Sequence, residues 1–317
     1  MTLDAAVFHR AVYLTGPTAS GKTAVGVELA KRLGAEILAL DSMTLYRGLD
    51  IGTAKPTQEE RGGVPHHLID VLDPWQRSSV AAYRQWAAER ALEVESRGKR
   101  VLFVGGTPLY MKALLRGLFE GAGSDPELRA GLEREALALG EAALHERLAE
   151  HDPAVAARVH PHDRRRIVRA LEVLALSRRP LSALQTEHER PAPATVPVVA
   201  LELDRAALNR RISARVERFF KSGFLDEARR LRVLDPPLDQ TAAQAIGYRE
   251  AFDLLSGRLT ESAAIERIQA RTRQFAKRQR TWFRGLSEVV LFPVAADESP
   301  QQIADRLAPR IAGWRKA

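Results

Sequence analysis

Residues 14–23 read LTGPTASGKT, and this stretch decides how the first third of the chain folds. Residues 16–23 match the pattern G-x-x-x-x-G-K-[ST] in full, between an apolar strand and a predicted helix. In that setting the glycines let backbone N–H groups turn inward around an anion, and the helix N-terminus adds partial positive charge. Lys22 supplies a full charge, and Thr23 supplies an oxygen of the kind that Mg²⁺ prefers. The pattern therefore predicts a phosphate-binding loop.

The kind of phosphate that this loop binds depends on the neighbouring strands. An ATPase or kinase of this class normally carries a metal-binding acid at the end of an apolar strand, but the strand at 100–104 ends in Gly105-Gly106-Thr107. The strand that does end in an acid is 36–40, which runs into Asp41. This arrangement favours a pyrophosphate that departs over a triphosphate that donates. A P-loop kinase of a small metabolite is the weaker alternative.

Two residues at these strand ends have two interpretations each. Asp41 can bind Mg²⁺ or accept a proton from a nucleophile, or it can cap a turn with Ser42. The Thr107 hydroxyl can donate to a leaving-group oxygen, or it can cap the helix that begins at Pro108. The spacing of the residues leaves both pairs of interpretations open.

Strand and helix patterns along the chain predict its organisation. Strand-like runs alternate with helical patterns through the first third, at residues 11–15, 36–40, 66–73 and 100–104. Such alternation predicts a parallel sheet with helices on its faces and a ligand crevice at the carboxyl ends of the strands. Residues 120–191 show helical periodicity and no strand-like run, and a strand at 198–204 then resumes the core.

The fold class predicted from these patterns is α/β, a P-loop NTPase-like parallel sheet flanked by helices, with an all-helical insertion domain. The catalytic core comprises residues 1–119 and 192–317, and the insertion comprises residues 120–191. Within the insertion, helices are expected to open at Asp125-Pro126 and at Asp152-Pro153, because Asp caps helices and Pro suits their first turn. The core ends in a long basic helix at about 260–283.

Composition narrows the class of protein and its partners. The chain has 48 Lys and Arg against 40 Asp and Glu, a net charge of +8, which favours a polyanionic partner. An Arg-rich genome would give the same balance, so charge alone does not decide. The absence of Cys excludes disulfides, thiolate nucleophiles and Cys-based zinc sites. Without a signal-peptide layout or an apolar run of about 18 residues, we expect a cytoplasmic protein with no membrane partner.

Seven sequence blocks occur in a fixed order and carry a family resemblance. They are GPTASGKT (16–23), DSMTLYRGLDIGTAKP (41–56), VPHHLIDVLDP (64–74), GGTPLYMKALLRGL (105–118), HPHDRRRIVRALEV (160–173), GYREA (247–251) and TRQFAKRQRTWFR (272–284). Together they resemble the tRNA dimethylallyltransferases, also called tRNA isopentenyltransferases, from about residue 11 to residue 284.

The resemblance implies a reaction and its participants. The exocyclic N6 of adenosine-37, in the anticodon stem-loop of tRNAs that read codons beginning with U, attacks C1 of dimethylallyl diphosphate. Pyrophosphate leaves with the help of Mg²⁺, which Thr23 would hold either alone or together with Asp41. Asp41 accepts the N6 proton, and Thr107 contacts the bridging oxygen of the leaving group. The residues that would bind the diphosphate are Gly16, Thr18, Ala19, Ser20, Gly21, Lys22, Thr23 and Arg215.

The resemblance also assigns contacts with tRNA. These fall on Asp41, Ser42, Met43, Thr44, Arg129, Arg165, Arg166, Ile167, Val168 and Arg169. The chain departs from the family at Thr44, where Gln is common, which puts a base contact by that side chain in doubt. Pro108 replaces a common Gly at a first helical position, where Pro is tolerated. Arg211 lies one turn before Arg215, so it is the alternative contact for the diphosphate.

Two further functions compete with this one. A relative that prenylates free adenine nucleotides would need the same crevice but no basic insertion, and residues 164–169 argue against it. An RNA-binding module with an inactive loop would not need Lys22, Thr23 and Asp41 together. We expect a monomeric transferase that acts on tRNA.

Overall fold

The computed structural model describes residues 3–118, 123–185 and 191–314, and within them six strands form one parallel sheet. The strands are β1 (Val12–Thr15), β2 (Ala35–Ala39), β3 (His66–His67), β4 (Arg100–Val104), β5 (Val198–Leu203) and β6 (Val290–Val294). Their spatial order is β3-β2-β4-β1-β5-β6, and every neighbouring pair is parallel. The α/β fold with a parallel sheet is therefore confirmed.

The described helices follow the strands in chain order. They are α1 (Leu3–Arg10), α2 (Lys22–Leu33), α3 (Val80–Ser96), α4 (Pro108–Arg116), α5 (Pro126–Leu139), α6 (Glu141–His151), α7 (Pro153–Ala156), α8 (Arg164–Ser177), α9 (Leu181–Gln185), α10 (Arg205–Lys221), α11 (Phe224–Arg232), α12 (Tyr248–Leu255), α13 (Glu261–Arg284) and α14 (Pro300–Ala312). In the described part of the chain, no helix is both long and apolar enough to cross a membrane.

The chain divides into two units. One comprises Met1–Leu115 with Ala192–Ala317 and contains the sheet, and the other comprises Arg116–Pro191 and contains α5 to α9. The predicted start of the insertion, residue 120, lies outside the described residues.

Side chains of the sheet alternate between two apolar cores. Tyr13, Leu38 and Phe103 belong to one buried cluster, whereas Leu14 and Leu102 belong to the other. Every residue of β1 and β2 is buried, which is the pattern of a parallel sheet covered by helices on both faces. Because all six strands are parallel, their carboxyl ends lie together at one edge of the sheet.

The second unit has a core of its own. Leu132, Leu144, Ile167 and Leu171 are among the residues of a separate buried cluster. The helices open where the sequence predicts, because Asp125 accepts hydrogen bonds from two N–H groups of the first turn of α5, and Asp152 accepts one from α7. Residues 123–185 contain helices and connections but no strand.

One predicted strand is much shorter than expected. The run at 66–73 forms β3 only at its first two residues, and a single bridge joins Tyr46 to Leu72. Leu68 and Asp70 take left-handed backbone conformations, with φ of 61° and 57°, which interrupt an extended chain. Of the elements in the described chain, α1, β6 and α14 were not predicted.

Candidate active site

The carboxyl ends of β1, β2 and β4 open onto one cavity of about 380 Å³. The predicted site residues that line it are Thr18, Lys22, Thr23, Asp41, Ser42, Met43, Thr44, Thr107 and Arg215. The other predicted diphosphate ligands, Gly16, Ala19, Ser20 and Gly21, lie in the loop that joins β1 to α2. The structure therefore brings together four segments that are far apart in sequence.

The loop between β1 and α2 has the backbone of an anion site. Gly21 precedes α2 with φ of 90°, a conformation that favours glycine, and no side chain caps the N-terminus of this helix. Gly16 approaches the neighbouring strand so closely that a Cβ there would lie 3.0 Å from the Leu201 carbonyl oxygen. Within the described structure, the buried Ser20 hydroxyl has no hydrogen-bond partner. Uncapped N–H groups and an unsatisfied hydroxyl fit phosphate oxygens.

Two cations converge on this loop. Burial and the nearby charge of Arg215 lower the pKa of Lys22 to about 8, although Asp41 acts in the opposite direction. Burial also lowers the pKa of Arg215, whose Nη1 donates to Thr18 Oγ1 at 3.2 Å. Two positive groups that are half-buried and close to each other are costly without a counter-ion. Their arrangement indicates a site for a multiply charged anion.

Arg211, the alternative diphosphate contact, occupies a different position. Its Nη2 donates to the Ala296 carbonyl at 2.9 Å, and its Nη1 lies 3.4 Å from the Ser20 carbonyl, behind the loop. Arg215 lines the cavity and Arg211 does not. The geometry favours Arg215 as the contact for the diphosphate.

Asp41 takes part in a turn and also lines the cavity. Its Oδ1 accepts the Met43 N–H at 2.8 Å, as the turn interpretation requires. The same residue lines the cavity together with Lys22 and Thr23, so its carboxylate is available to act as a base or a metal ligand. The two interpretations of Asp41 are compatible, because the turn fixes the direction of the carboxylate.

Thr107 does not cap the helix that follows it with its side chain. Its hydroxyl instead accepts the Ser42 N–H at 3.2 Å, and a hydroxyl that accepts one bond can still donate its own proton. Gly105 makes this proximity possible, since a Cβ at that position would lie 2.1 Å from the Leu40 carbonyl oxygen. The ends of β2 and β4 therefore hold Asp41 and Thr107 side by side.

The donor set of the cavity suits Mg²⁺. In the described chain, no group of three or more His, Cys, Asp or Glu residues is arranged to hold a metal ion alone. The cavity instead offers the Thr23 hydroxyl and the Asp41 carboxylate, both hard oxygen donors. Mg²⁺ is commonly held by one or two such groups together with substrate phosphates. The donors therefore fit a Mg²⁺ ion that completes its coordination with phosphate oxygens.

Gln279 is a site residue that the sequence analysis did not identify. It lies on α13, is 3% exposed and lines the cavity. Its Oε1 accepts the Thr18 N–H at 2.8 Å, and its Nε2 donates to the Gly106 carbonyl at 2.5 Å. The signal that could have identified it is its spacing of four residues from Phe275 and from Phe283, which places a polar residue on the apolar stripe of the helix.

Glu227 is a second residue that the sequence did not predict, and it holds the part of the cavity wall that contains Gly52. The buried Glu227 carboxylate accepts the N–H groups of Asp50, Ile51 and Gly52 at 2.8 to 3.0 Å. It also accepts the Tyr248 hydroxyl at 2.7 Å. These four bonds hold one wall of the cavity against α11 and α12.

The predicted tRNA contacts in the insertion have unequal exposure. Arg165 and Arg166 are exposed on α8, whereas the side chains of Ile167 and Val168 are buried in the core of the second unit.

Arg129 and Arg169 share a buried carboxylate. Both guanidinium groups bond Glu172 Oε2, at 2.6 and 2.7 Å. Glu172 also accepts the Asp125 N–H through its other oxygen. Burial acts to raise the pKa of Glu172, but the two guanidinium groups together outweigh it and hold the pKa below the usual value. The two arginines are therefore held in place by the fold, and their contact with tRNA stays a prediction.

Comparison with known proteins identifies the family. The family model described as IPP transferase matches residues 44–286, and the model described as isopentenyl transferase matches residues 10–70. The tRNA dimethylallyltransferase of Geobacter metallireducens is 47% identical over 282 residues, which cover 89% of this chain and 91% of the relative.

Solved structures agree with this similarity. The tRNA isopentenylpyrophosphate transferase of Bacillus halodurans is 38% identical, with a TM-score of 0.70 and 96% of each chain covered. A eukaryotic dimethylallyltransferase acting on tRNA shares the fold, with a TM-score of 0.77 at 23% identity, over 96% of this chain and 78% of its own. The chain therefore belongs to the IPP transferase family, the family of the tRNA dimethylallyltransferases.

Proposed function

We propose that the protein transfers a dimethylallyl group from dimethylallyl diphosphate to N6 of adenosine-37 in tRNA. Relatives named tRNA dimethylallyltransferase support transfer to tRNA. One observation carries the chemistry: Lys22, Arg215 and Asp41 line the same cavity. A diphosphate leaving group needs the two cations, and an amine nucleophile needs the carboxylate.

In the proposed reaction, a C–N bond forms as a C–O bond breaks. N6 of the adenine attacks C1 of the donor, and pyrophosphate leaves with the electron pair of the C1–O bond. Lys22 and Arg215 neutralise the charge that grows on the departing group, and the Thr107 hydroxyl donates to its bridging oxygen. Asp41 accepts the proton that N6 loses.

We propose Mg²⁺ as the cofactor, held by the Thr23 hydroxyl and the Asp41 carboxylate together with diphosphate oxygens. When bound, the ion contributes positive charge to the departing pyrophosphate. The Asp41 carboxylate is proposed both to bind the metal ion and to accept the proton, so removal of Asp41 affects both functions.

We propose that the acceptor is the anticodon stem-loop of tRNAs that read codons beginning with U. The adenine must leave its stack to reach the cavity, where Ser42, Met43 and Thr44 line the space beside Asp41. The net charge of +8 supports a polyanionic acceptor. Because its substrate is tRNA, we place the protein in the cytoplasm, and we expect it to act as a monomer.

The decisive experiment incubates the protein with Mg²⁺, dimethylallyl diphosphate labelled in the allyl group, and unmodified tRNA. We expect label in tRNA at adenosine-37 and release of unlabelled pyrophosphate. Parallel reactions replace tRNA with free AMP, or replace the donor with γ-labelled ATP. Label in AMP but not in tRNA would favour the nucleotide prenyltransferase, and phosphoryl transfer from ATP would favour the kinase.

A further inference from the structure

We propose that Gln279 is a positioning residue that sets the distance between the phosphate-binding loop and Thr107. This inference rests on the proposed function, because it assigns Gln279 a role in the same transfer. Gln279 lies on α13, far in sequence from both segments that it joins.

The oxygen and the nitrogen of the Gln279 side-chain amide form hydrogen bonds with different parts of the site. The oxygen accepts the backbone N–H of Thr18 at 2.8 Å, and the nitrogen donates to the backbone carbonyl of Gly106 at 2.5 Å. Thr18 is also the residue whose hydroxyl receives Arg215, and Gly106 directly precedes Thr107. One amide therefore connects the groups proposed to hold the diphosphate with the group proposed to contact its bridging oxygen.

The chemistry of the position suits an amide. An amide carries an acceptor and a donor on one planar group, so it satisfies an N–H at one end and a carbonyl at the other. The close approach also requires glycine at 106, since a Cβ there would lie 2.6 Å from Gln279 Nε2. A glutamate would keep the bond to Thr18 but would place two acceptors against each other at Gly106. A leucine of similar shape would leave both backbone groups unsatisfied.

The fold holds α13 in place without these two bonds. Ala264, Ile268, Ala276 and Phe283 are buried along the same helix, and α13 packs against α10 and α12. The Gln279 bonds run instead to the loop after β1 and to the turn after β4. Their main effect is therefore on the geometry of the site. Near-attack geometry matters for rate, because a displacement of about 1 Å can cost on the order of 10²-fold.

The test uses Gln279→Glu and Gln279→Leu, with Gln274→Leu as the matched control, because Gln274 is an exposed glutamine on the same helix. For Gln279→Glu we expect kcat to fall on the order of 10-fold or more, while KM for dimethylallyl diphosphate changes by less than about threefold. For Gln279→Leu we expect kcat to fall and this KM to rise. KM for tRNA should stay near wild type in Gln279→Glu, and its thermal midpoint, although lowered by the two facing acceptors, should remain above the assay temperature. If Gln279→Leu does not fold, Gln279→Glu still tests the proposal.

A double-mutant cycle with Thr107→Ala then asks whether Gln279 acts through Thr107. We expect Gln279→Glu to lower kcat much less in the Thr107→Ala background than in the wild-type background. An equal factor in both backgrounds would overturn the proposal, and so would a wild-type kcat in Gln279→Glu. If the wild-type protein itself transfers no label to tRNA, the proposed function fails, and this outcome is distinct from the failure of the Gln279 proposal.

Discussion

Two substitutions distinguish the role of Asp41 in the turn from its role in the chemistry. Asp41→Asn keeps an oxygen that can accept the Met43 N–H, whereas Asp41→Ala removes it. We expect both variants to lose on the order of 10²–10⁴ in kcat, because neither can accept the N6 proton.

Affinity for tRNA, measured by filter binding, should survive in both Asp41 variants. If Asp41→Asn turned over at the wild-type rate, the carboxylate would not be the base, and the turn alone would explain why Asp41 is needed.

Lys22 makes donor binding depend on pH. Its pKa of about 8 means that the ammonium is charged below pH 8 and neutral above it, so the anion site loses a positive charge as pH rises through this value. We expect pyrophosphate affinity, measured by calorimetry, to weaken between about pH 7 and pH 9.5.

The control for this pH effect is Lys22→Arg, which keeps its charge over the whole range. Any titration of pyrophosphate itself is common to both proteins, so the difference between them reports Lys22. The same pH dependence in both would contradict the assignment.

At the residue scale, the sequence predicted the side chains that carry charge or chemistry in a recognisable local pattern. Lys22 and Thr23 lie within a motif, and Asp41 and Thr107 lie at strand ends. Gln279 has no such local pattern, because its partners Thr18 and Gly106 lie more than 170 residues away. Hydrogen bonds from a side chain to distant backbone groups are set by packing, so the sequence marks Gln279 only as a polar residue on the apolar stripe of α13.

The predicted contact between the basic face of α8 and tRNA can be tested at Arg165. Arg165 is exposed, and if it contacts a tRNA phosphate, Arg165→Ala should reduce the slope of log affinity against log salt by about 1. The measurement is a tRNA binding titration at several salt concentrations. Arg10→Ala, which removes the same charge from α1, is the control for net charge and should leave the slope nearly unchanged. Equal effects of the two substitutions would count against a local contact.

The Glu227 carboxylate holds the segment from Asp50 to Gly52, and its loss should weaken the fold. Glu227→Ala leaves three backbone N–H groups and the Tyr248 hydroxyl without their acceptor, so we expect destabilisation on the order of 3 kcal/mol or more. Urea unfolding measures the change. The exposed Glu217→Ala on α10 should change stability by no more than about 0.5 kcal/mol. A similar small change for Glu227→Ala would show that the segment is held by other contacts.

At the element scale, strong periodicity predicted most strands and helices. Where the prediction failed, the backbone conformation of individual residues ended an element earlier than its apolar pattern suggests. The run at 66–73 is apolar enough for a strand, but positive φ at Leu68 and Asp70 ends β3 after two residues. The Leu68 side chain gives no signal of this turn, whereas Asp70 is of a residue type that is enriched in the left-handed conformation. The edge strand β6 alternates less clearly, with exposed Val290, Leu291 and Pro293 beside buried Phe292.

Ligand binding should stabilise the molecule as a whole. Pyrophosphate binds the assembled loop and not the unfolded chain, so at about 100 times its Kd it should add roughly 2.7 kcal/mol to the free energy of unfolding. Thermal unfolding with and without pyrophosphate and Mg²⁺ measures this effect as a rise in Tm. Lys22→Met should show a much smaller rise. A rise of equal size in Lys22→Met would place the anion elsewhere.

At the scale of the whole molecule, the change from mixed to purely helical patterning predicted an inserted segment within an α/β core. The pattern did not reveal which strands are neighbours in the sheet. β1 lies between β4 and β5, and its partner residues come from both sides of the insertion in sequence. Strand order is decided by which faces can be buried together, and strand patterns alone do not record it.

This strand order has a consequence for synthesis on the ribosome. β1 emerges early, but its neighbour β5 emerges only after the whole of the insertion has been translated, and Gln279 later still. The insertion has a buried core of its own and can fold before β5 emerges. A nascent chain therefore completes its catalytic centre only after the insertion, β5 and the segment that contains Gln279 have all emerged.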